Sequence, residues 1–242
     1  MLAAGNDRNF RDAGYIYPKN LIEVHGRPVI EHVIRSFDSL SDLNPRYHFL
    51  VRKEEIQKSH TQSVIKLILP GATVIPIPGP TAGAACTALW AIDQIDNDDP
   101  LLITNGDQLL FIDYSLAVRD FQRRNLDGGI LVFEAVHPRW SYVKVDDNGF
   151  VIEAAEKRPI SRLATAGTYY FQRGRDFIRA AQSMLLKQAH VDDVFYVCPA
   201  YNELVLELKK IGTYNIEKKD YYQIKSPRAL QDFEQYLSLH GE

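Results

Sequence analysis

Residues 101–108 read Leu-Leu-Ile-Thr-Asn-Gly-Asp-Gln, a short apolar run that passes directly into a polar loop. The run is typical of a buried strand, and the Asn-Gly pair marks its end. In an open parallel sheet, ligands bind beyond the carboxyl ends of the strands. Asp107 therefore stands where a carboxylate holds Mg²⁺ against phosphate oxygens, and it is the best candidate metal ligand in the chain. A turn-capping role for Asp107 is the plainer alternative.

Strand and helix patterns alternate around this strand through the first half of the chain. We expect strands at 47–51, 72–77, 101–104 and 129–135, and helices at 29–37, 56–69, 82–95 and 116–124. Such alternation is typical of an α/β fold, in which helices flank a mixed, mostly parallel sheet.

The second half begins with a hairpin signal, because Asn148-Gly149 separates two strand-like runs at 142–145 and 150–154. The elements expected after it are a strand at 165–171, helices at 176–188 and 201–209, a strand at 211–216 and a helix at 227–239, which Ser226 caps. We find no repeat and no Pro/Gly/Ser-rich linker. The sequence therefore favours a single domain over residues 1–242, with a nucleotide-binding half at 1–135 and an acceptor-binding half at 136–242.

The composition argues against some classes of protein but does not identify the function. The 242 residues include 28 Lys+Arg and 31 Asp+Glu, so the formal net charge is −3. This balance argues against nucleic acid as a partner. The two cysteines suit a reducing compartment. With no signal peptide and no run of 18 apolar residues, we expect a cytoplasmic protein that does not interact with membranes. The sequence leaves a homo-oligomer open.

Three further segments carry groups that suit phosphate or nucleotide chemistry. Gly5 opens a small-residue loop near Arg8, Arg11 and Lys19, which suits anion binding. The small residues at 78–85 allow a planar base to approach the backbone, although a turn before a tightly packed helix explains them equally well. The pair Glu156-Lys157 follows the hairpin, and such a pair taken alone is more often solvated surface than a binding site.

The order of these segments resembles the sugar-phosphate nucleotidyltransferase family, also called NDP-sugar pyrophosphorylases. The resemblance covers nearly the whole chain. The residues that carry it are Leu2-Ala3-Ala4-Gly5, Pro18-Lys19 with Leu21-Ile22-Glu23-Val24, Gly26-Arg27-Pro28, Gly83-Ala84-Ala85, Asn105-Gly106-Asp107, Glu156-Lys157, and Gly167 with Tyr169.

The resemblance implies a Rossmann-like nucleotide-diphospho-sugar transferase fold and Mg²⁺-dependent transfer of a nucleotidyl group from an NTP to a sugar phosphate or a similar phosphorylated alcohol. Such a reaction serves NDP-sugar and polysaccharide biosynthesis. It also implies roles for individual residues. Those for catalysis are Lys19, Asp107 and Lys157; those for nucleotide binding are Ala3, Ala4, Gly5, Asn6, Arg8, Lys19, Thr81, Gly83, Ala84, Asn105 and Gly106; those for the acceptor are Glu156, Lys157 and Gly167. Asp107 would bind Mg²⁺, with its second protein ligand unknown.

The chain departs from the family pattern at three positions, and each departure changes the charge there. Asp7 stands where the family has glycine, Asn9 where it has arginine, and Gln223 where it has a second metal-binding aspartate. An acidic group about 4 Å from a phosphate would cost roughly 4 kcal/mol per charge pair. We therefore expect Asp7 to point away, to be paired, or to bind a cation.

Two rival functions stay open at this point. A glycosyltransferase that uses an NDP-sugar needs an Asp-x-Asp motif, and Asp96-Asn97-Asp98 matches its letters, but it precedes the 101–104 strand instead of following it. A degenerate homologue that binds nucleotide for regulation is the second rival, because each of the three substitutions changes the charge at its position.

Overall fold

The computed structural model describes residues 1–240. Its strands are β1 (Glu23–Val24), β2 (Arg27–Pro28), β3 (His48–Arg52), β4 (Thr73–Ile77), β5 (Leu101–Thr104), β6 (Gln108–Leu110), β7 (Gly128–Glu134), β8 (Ser141–Val145), β9 (Val151–Glu156), β10 (Leu163–Phe171), β11 (Ile211–Asn215) and β12 (Tyr221–Gln223).

The α-helices and the shorter 3₁₀ turns connect these strands. The helices are α1 (Arg8–Asp12), α2 (Val29–Arg35), α3 (Lys53–Ser59), α4 (Thr61–Ile68), α5 (Ala84–Ala88), α6 (Ile92–Ile95), α7 (Tyr114–Arg123), α8 (Gly174–Leu186), α9 (Tyr201–Leu206) and α10 (Pro227–His240). One 3₁₀ turn, Lys19–Leu21, carries a residue of the candidate site.

The chain forms two compact units, each assembled from separate segments. Unit 1 contains Met1–Gly79, Asn105–Asp113 and the described residues from Lys219 onward, and unit 2 contains Pro80–Thr104 and Tyr114–Lys218. These boundaries differ from the expected halves at 1–135 and 136–242, because the chain enters each unit more than once. The single-domain organisation stays a prediction.

The strands at the centre of unit 1 pair in parallel, whereas β1–β2 and β6–β12 are antiparallel pairs. Strands β3 and β4 are parallel, and Leu2 bridges to Leu50 on one side and to Asn105 on the other, also in parallel. Apolar residues of α2 and α4 recur at helical spacing and pack on this sheet. The buried cluster consists of Ala3, Ile30, Ile34, Phe49, Val51, Ile65 and Ala72. Parallel strands that end together place their following loops at one edge, and the candidate site of unit 1 lies there.

Unit 2 contains a six-stranded mixed sheet in the order β11-β7-β10-β8-β9, with β5 also paired to β10. Strand β7 is buried over Gly128–Phe133, as its nearly continuous apolar run predicts for a central strand. Strand β10 runs antiparallel to β5, β7 and β8. Its register with β7 shifts between Thr165 and Tyr169, and Gly167 in this bulge has a φ of +67°.

The fold class expected from the sequence is confirmed as mixed α/β. The expected strands are present, the Asn148-Gly149 turn joins β8 to β9, and the Ser226 hydroxyl accepts a hydrogen bond from the Ala229 N–H at 3.2 Å, as a helix cap does. Most of the described strand pairs are antiparallel, whereas the alternation of strands and helices favours parallel pairing. The main reason is β10, which is antiparallel to its three neighbours.

Two expected helices are interrupted. The helix expected at 56–69 divides into α3 and α4 because His60 adopts a left-handed φ of 54°. The helix expected at 82–95 begins at Ala84 and passes through a 3₁₀ turn at Leu89–Ala91. Within residues 1–240, no helix has both the length and the apolar character needed to cross a membrane.

Candidate functional site

Three segments far apart in sequence meet at the centre of the candidate site in unit 1. The Lys19 ammonium lies 2.5 Å from Oδ2 of Asp107, and both side chains are nearly fully buried. Gly5 lies against this ion pair, because a Cβ atom at Gly5 would be 2.9 Å from Lys19 Nζ and 3.9 Å from Asp107 Oδ2. A glycine backbone, a cation and a carboxylate are thus brought together, and the roles of Gly5, Lys19 and Asp107 in nucleotide binding and catalysis stay predictions.

Arg52, the last residue of β3, holds the loop that contains Gly5. Its Nε donates to the Ala4 carbonyl at 3.2 Å, and its Nη2 donates to the carbonyl of Gly5 and, at 2.9 Å, to the Asp7 carboxylate. Asp7 is buried, with 5% of its surface exposed. Of the three alternatives for Asp7, the structure shows pairing, since Arg52 offsets its charge.

A second carboxylate, Glu55 of α3, lies on the other side of Arg52. Its Oε1 is 3.7 Å from Arg52 Nε, and its Oε2 accepts a hydrogen bond from Asn20 Nδ2 at 3.1 Å. Burial, together with the nearby charge of Asp7, raises the pKa of Glu55 from 4.5 to about 7. The Asn20 Nδ2 also donates to the Ala3 carbonyl at 3.0 Å. The residue next to Lys19 is therefore fixed to the loop.

The segment that contains Asp107 is fixed by its backbone. The Gly106 N–H donates to the Leu2 carbonyl at 2.8 Å, and the Asn105 side chain donates to Gln108 at 3.0 Å. The Asp107 carbonyl accepts a hydrogen bond from the Ile224 N–H at 2.7 Å. Strand β12 places Gln223 opposite Gln108. Gln223 thus lies beside the Asp107 segment, at the position where the resemblance implies a carboxylate.

Other predicted residues of the loop lie further from the ion pair. Arg8 is highly exposed and forms a surface ion pair with Asp12 at 3.5 Å. The Asn6 side chain accepts a hydrogen bond from the Arg8 N–H at 2.8 Å. The Asn9 side chain donates to the Lys225 carbonyl at 3.3 Å. Nucleotide binding by Asn6 and Arg8 stays a prediction.

In unit 2, the segment expected to contact a base packs against its own chain. Gly83 has a φ of +131°, and a Cβ atom there would lie 2.3 Å from the Phe195 carbonyl oxygen. The Ala85 N–H donates to that same oxygen at 3.0 Å. The hydroxyls of Thr81 and Thr87 both donate to the Gly83 carbonyl, at 3.1 and 3.0 Å. This packing is a structural reason for the glycine, and base recognition by Thr81, Gly83 and Ala84 stays a prediction.

Lys157 occupies an unusual backbone position, with a left-handed φ of 55° directly after β9. Its ammonium lies 3.1 Å from Asp192 Oδ2 and 5.4 Å from the centre of the Tyr196 ring. Hydrogen bonding to Tyr196 and to Asp192 raises the pKa of Lys157, so it is a cation at neutral pH. Asp192 and Asp193 are both left-handed and form the tight turn that presents the Asp192 carboxylate.

Glu156 belongs to a polar cluster beside the β10 bulge. The Ser141 hydroxyl donates to the Glu156 carboxylate. The hydroxyls of Thr165 and Tyr169, on either side of Gly167 in sequence, are 3.0 Å apart. Burial is the main reason that the pKa of Tyr169 lies well above its ordinary range, with nearby Cys198 and Glu156 adding to it. Two of the three acceptor-site predictions, Glu156 and Gly167, thus fall in partly buried polar surroundings.

The Asp-x-Asp motif at residues 96–98 lies in a loop before β5. The Asp98 carboxylate pairs with Arg175 at 3.1 Å, and the Asn97 carbonyl accepts a hydrogen bond from the Arg175 N–H at 3.0 Å. The segment therefore anchors the start of α8, at the opposite end of β5 from residue 105. This placement favours a structural role over a metal-binding one.

The donor set in unit 1 fits Mg²⁺ only in a shared site. Across residues 1–240, no group of three or more His, Cys, Asp or Glu side chains is arranged to hold a metal ion. Mg²⁺ commonly binds through one or two carboxylates, with substrate phosphates and water completing the octahedron. Asp107 supplies one such carboxylate, so the residues fit a metal that a bound phosphate helps to hold.

Sequence reasoning missed Arg52, Glu55, Asn20 and Asp192. A weak signal existed for Arg52, because it ends an apolar strand in the same way that Asp107 follows β5. No local pattern identifies the other three residues, because their roles depend on contacts between distant parts of the chain. In both the Asn20–Glu55 pair and the Lys157–Asp192 pair, the two residues are 35 positions apart.

Comparison with known proteins adds independent findings. A family model described as nucleotidyl transferase matches residues 1–212. The bifunctional protein GlmU of Methanocaldococcus jannaschii is 28% identical over 184 residues, which cover 72% of this chain and 39% of that protein. The UTP–glucose-1-phosphate uridylyltransferase AglF of Haloferax volcanii is 28% identical over 182 residues, covering 71% of this chain and 70% of AglF. The chain therefore spans about two fifths of the length of its GlmU relatives.

Solved structures show the same fold. A nucleoside-diphosphate-sugar pyrophosphorylase from Vibrio cholerae RC9 is similar with a TM-score of 0.82 and 26% identity, covering 97% of this chain and 100% of that one. An inositol-1-phosphate CTP transferase from T. maritima has a TM-score of 0.73 and 14% identity, covering 98% and 93%, which is a likeness in fold alone.

Proposed function

Because this chain belongs to the nucleotidyl transferase family, we propose that it transfers a nucleotidyl group from an NTP to a phosphorylated sugar or similar small phosphorylated alcohol. The products are an NDP-sugar-type compound and pyrophosphate. The observation that carries the proposal is the meeting of Gly5, Lys19 and Asp107 in unit 1. This combination offers backbone, cation and carboxylate to a triphosphate.

The chemistry requires alignment more than acid–base catalysis. An oxygen of the acceptor phosphate attacks the α-phosphorus, a new P–O bond forms, and the bond from the α-phosphorus to the bridging oxygen of the β-phosphate breaks. The acceptor phosphate is already an anion, so no general base is needed. The protein must offset the repulsion between two anions and hold the reacting atoms in line.

In this proposal, unit 1 binds the triphosphate. The loop from Ala3 to Asn6 supplies backbone groups, and Asn105 and Gly106 border the Asp107 segment. Lys19 neutralises phosphate charge as the transferred group moves. Its present partner is Asp107, so a bound triphosphate with its cation takes over part of the bonding that the ion pair now provides.

Asp107 would hold Mg²⁺ together with phosphate oxygens. When bound, Mg²⁺ would screen negative charge on the phosphate oxygens and make the attacked phosphorus more electrophilic. The contribution of Asp107 itself is to fix the position of that charge, since its segment is tied to Leu2 and Ile224 by backbone hydrogen bonds.

Unit 2 supplies the acceptor residues. Lys157 would bind the acceptor phosphate, and its raised pKa keeps it cationic. Glu156, oriented by the Ser141 hydroxyl, would accept hydrogen bonds from acceptor hydroxyls. Gly167 would leave room for the acceptor ring at the bulge of β10. The similarity to AglF, a glucose-1-phosphate uridylyltransferase, and to the V. cholerae nucleoside-diphosphate-sugar pyrophosphorylase supports a sugar phosphate as acceptor.

Pyrophosphate release over a grid of nucleotides and acceptors tests this proposal. The wild-type chain, with Mg²⁺, is incubated with each of ATP, GTP, CTP, UTP and dTTP against phosphorylated sugars, polyols and amino alcohols. Release that needs both substrates supports the proposal. A parallel incubation with NDP-sugars and unphosphorylated sugar acceptors tests the glycosyltransferase alternative, which would release NDP from the NDP-sugar. Release of neither pyrophosphate nor NDP in the two incubations would favour a regulatory homologue.

A further inference from the structure

We propose that Arg52 is a positioning residue for nucleotide binding, and that it permits an aspartate in the phosphate-facing loop. The inference rests on the proposed function of unit 1. Arg52 is not one of the residues that we propose to contact the substrates. It acts through the loop from Ala4 to Asp7, with which its guanidinium makes three separate contacts.

Arg52 sets the direction of the peptide groups in the loop. Arg52 engages the carbonyls of Ala4 and Gly5. In a trans peptide the C=O and the following N–H point in opposite directions. The N–H groups of Gly5 and Asn6 are therefore directed away from Arg52. An arginine fork that fixes two carbonyls thus sets the direction of the two donors that an anion needs.

Arg52 also offsets the negative charge of Asp7. The Asp7 carboxylate is buried in the same loop, where it would oppose a triphosphate. Arg52 lies 2.9 Å from it and offsets that charge. A charge-assisted contact of this length is among the stronger hydrogen bonds in proteins. The loop therefore tolerates an acid at position 7 because the cation is supplied by β3 and not by the loop.

Arg52 is itself held in place by a network of polar contacts. Glu55 lies 3.7 Å from Arg52 Nε and also accepts the hydrogen bond from Asn20. Asn20, 1% exposed, ties Glu55 to the Ala3 carbonyl and directly follows Lys19. The network thus joins β3, α3, the loop and the 3₁₀ turn that carries Lys19. Loss of Arg52 would disturb the loop while leaving the Lys19–Asp107 contact in place.

A double-mutant cycle on nucleotide affinity tests the inference. The Kd for each of ATP, GTP, CTP, UTP and dTTP with Mg²⁺ is measured by titration calorimetry for wild type, Arg52→Gln, Asp7→Asn and the double variant. For the nucleotide that wild type binds best, Arg52→Gln is expected to raise Kd about tenfold, and adding Asp7→Asn to return Kd to within about threefold of wild type. Arg35→Gln, which removes a surface pair with Glu31, is the matched control.

Several results would overturn the inference. An unchanged Kd in folded Arg52→Gln would do so, as would a double variant that binds no better than Arg52→Gln. If Arg52→Gln does not fold, Arg52→Lys replaces it, because lysine keeps the charge beside Asp7 and loses the fork; an unchanged Kd then contradicts the inference. A wild-type chain that binds none of the five nucleotides would refute the proposed function as well, whereas normal wild-type binding with unaffected variants refutes this inference alone.

Discussion

Lys19 and Asp107 form a buried ion pair, so each residue affects stability as well as chemistry. Removing one partner leaves an unpaired buried charge, and we expect Lys19→Met to cost about 3 kcal/mol of unfolding free energy. The double variant Lys19→Met/Asp107→Asn is expected to recover about 2 kcal/mol of that cost. Both variants should keep less than about 1% of wild-type turnover, because the charges themselves act on the phosphates.

Denaturant unfolding and pyrophosphate release, measured on the same samples, separate the two effects. Turnover that recovers together with stability in the double variant would show that the pair is structural only.

Glu55 gives the fold a pH dependence with a definite sign. Its pKa is raised from 4.5 to about 7 in the folded chain, so the protonated form favours folding. This contribution is fully present below pH 4.5 and is lost as the pH rises through about 7, with an upper bound of about 3 kcal/mol. Glu55→Gln cannot ionise, and its amide oxygen still accepts the hydrogen bond from Asn20. We expect it to unfold about 5 °C above wild type at pH 8 and about 1 °C above at pH 5.

Thermal unfolding at the two pH values checks this expectation. An equal difference at both values, or a variant less stable than wild type at pH 8, would contradict the assignment. Lys58, which pairs with Glu54 on the exposed face of the same helix, offers a control as Lys58→Gln.

At the scale of elements, the approach of the 80–83 loop to Phe195 determines whether α5 starts correctly. Gly83→Ala would place a methyl group against the Phe195 carbonyl at a positive φ. We expect a loss of about 3 kcal/mol or more in unfolding free energy. Gly79→Ala, where nothing lies within 4 Å of the added methyl, should change stability by less than about 0.5 kcal/mol. Similar unfolding midpoints for the two variants would disprove this explanation of Gly83.

The turn at Asp192-Asp193 controls the charge around Lys157. Asn tolerates the left-handed conformation, so Asp192→Asn should keep the turn and remove the carboxylate from the Lys157 ammonium. We expect the KM for the phosphorylated acceptor to fall about threefold, with the KM for NTP unchanged. The matched control is Asp193→Asn, since Asp193 faces His190 instead. An acceptor KM that stays the same or rises in Asp192→Asn would count against Lys157 as the phosphate-binding residue.

Periodic elements could be predicted from the sequence, and irregular ones could not. Strands such as β7 and β10 are recognisable because burial imposes a long apolar run. The left-handed break at His60 and the bulge at Gly167 are local departures from regular geometry, so hydrophobic periodicity does not show them. The pairing of β6 with β12 joins two three-residue strands from distant parts of the chain, which are too short to give a signal.

At the scale of the whole molecule, a net charge of −3 is compatible with binding two anions because the cations are concentrated locally. Lys19 and Arg52 lie at the candidate site in unit 1, and Lys157 lies among the residues of unit 2 that we propose for the acceptor. The order of motifs predicted Lys19, Asp107 and Lys157 as candidates. It could not predict that Asp7 is neutralised by Arg52, because that pairing joins residues 45 positions apart.

The most direct test of the central claim is ³¹P NMR of one reaction mixture. The wild-type chain is incubated with Mg²⁺ and the nucleotide and acceptor that release the most pyrophosphate, with ¹⁸O in the acceptor phosphate. The account predicts that the label remains in a new diphosphate-linked product, that unlabelled pyrophosphate forms in equal amount, and that Asp107→Asn slows both by at least about 100-fold. Labelled free phosphate, or pyrophosphate formed without the labelled product, would contradict it.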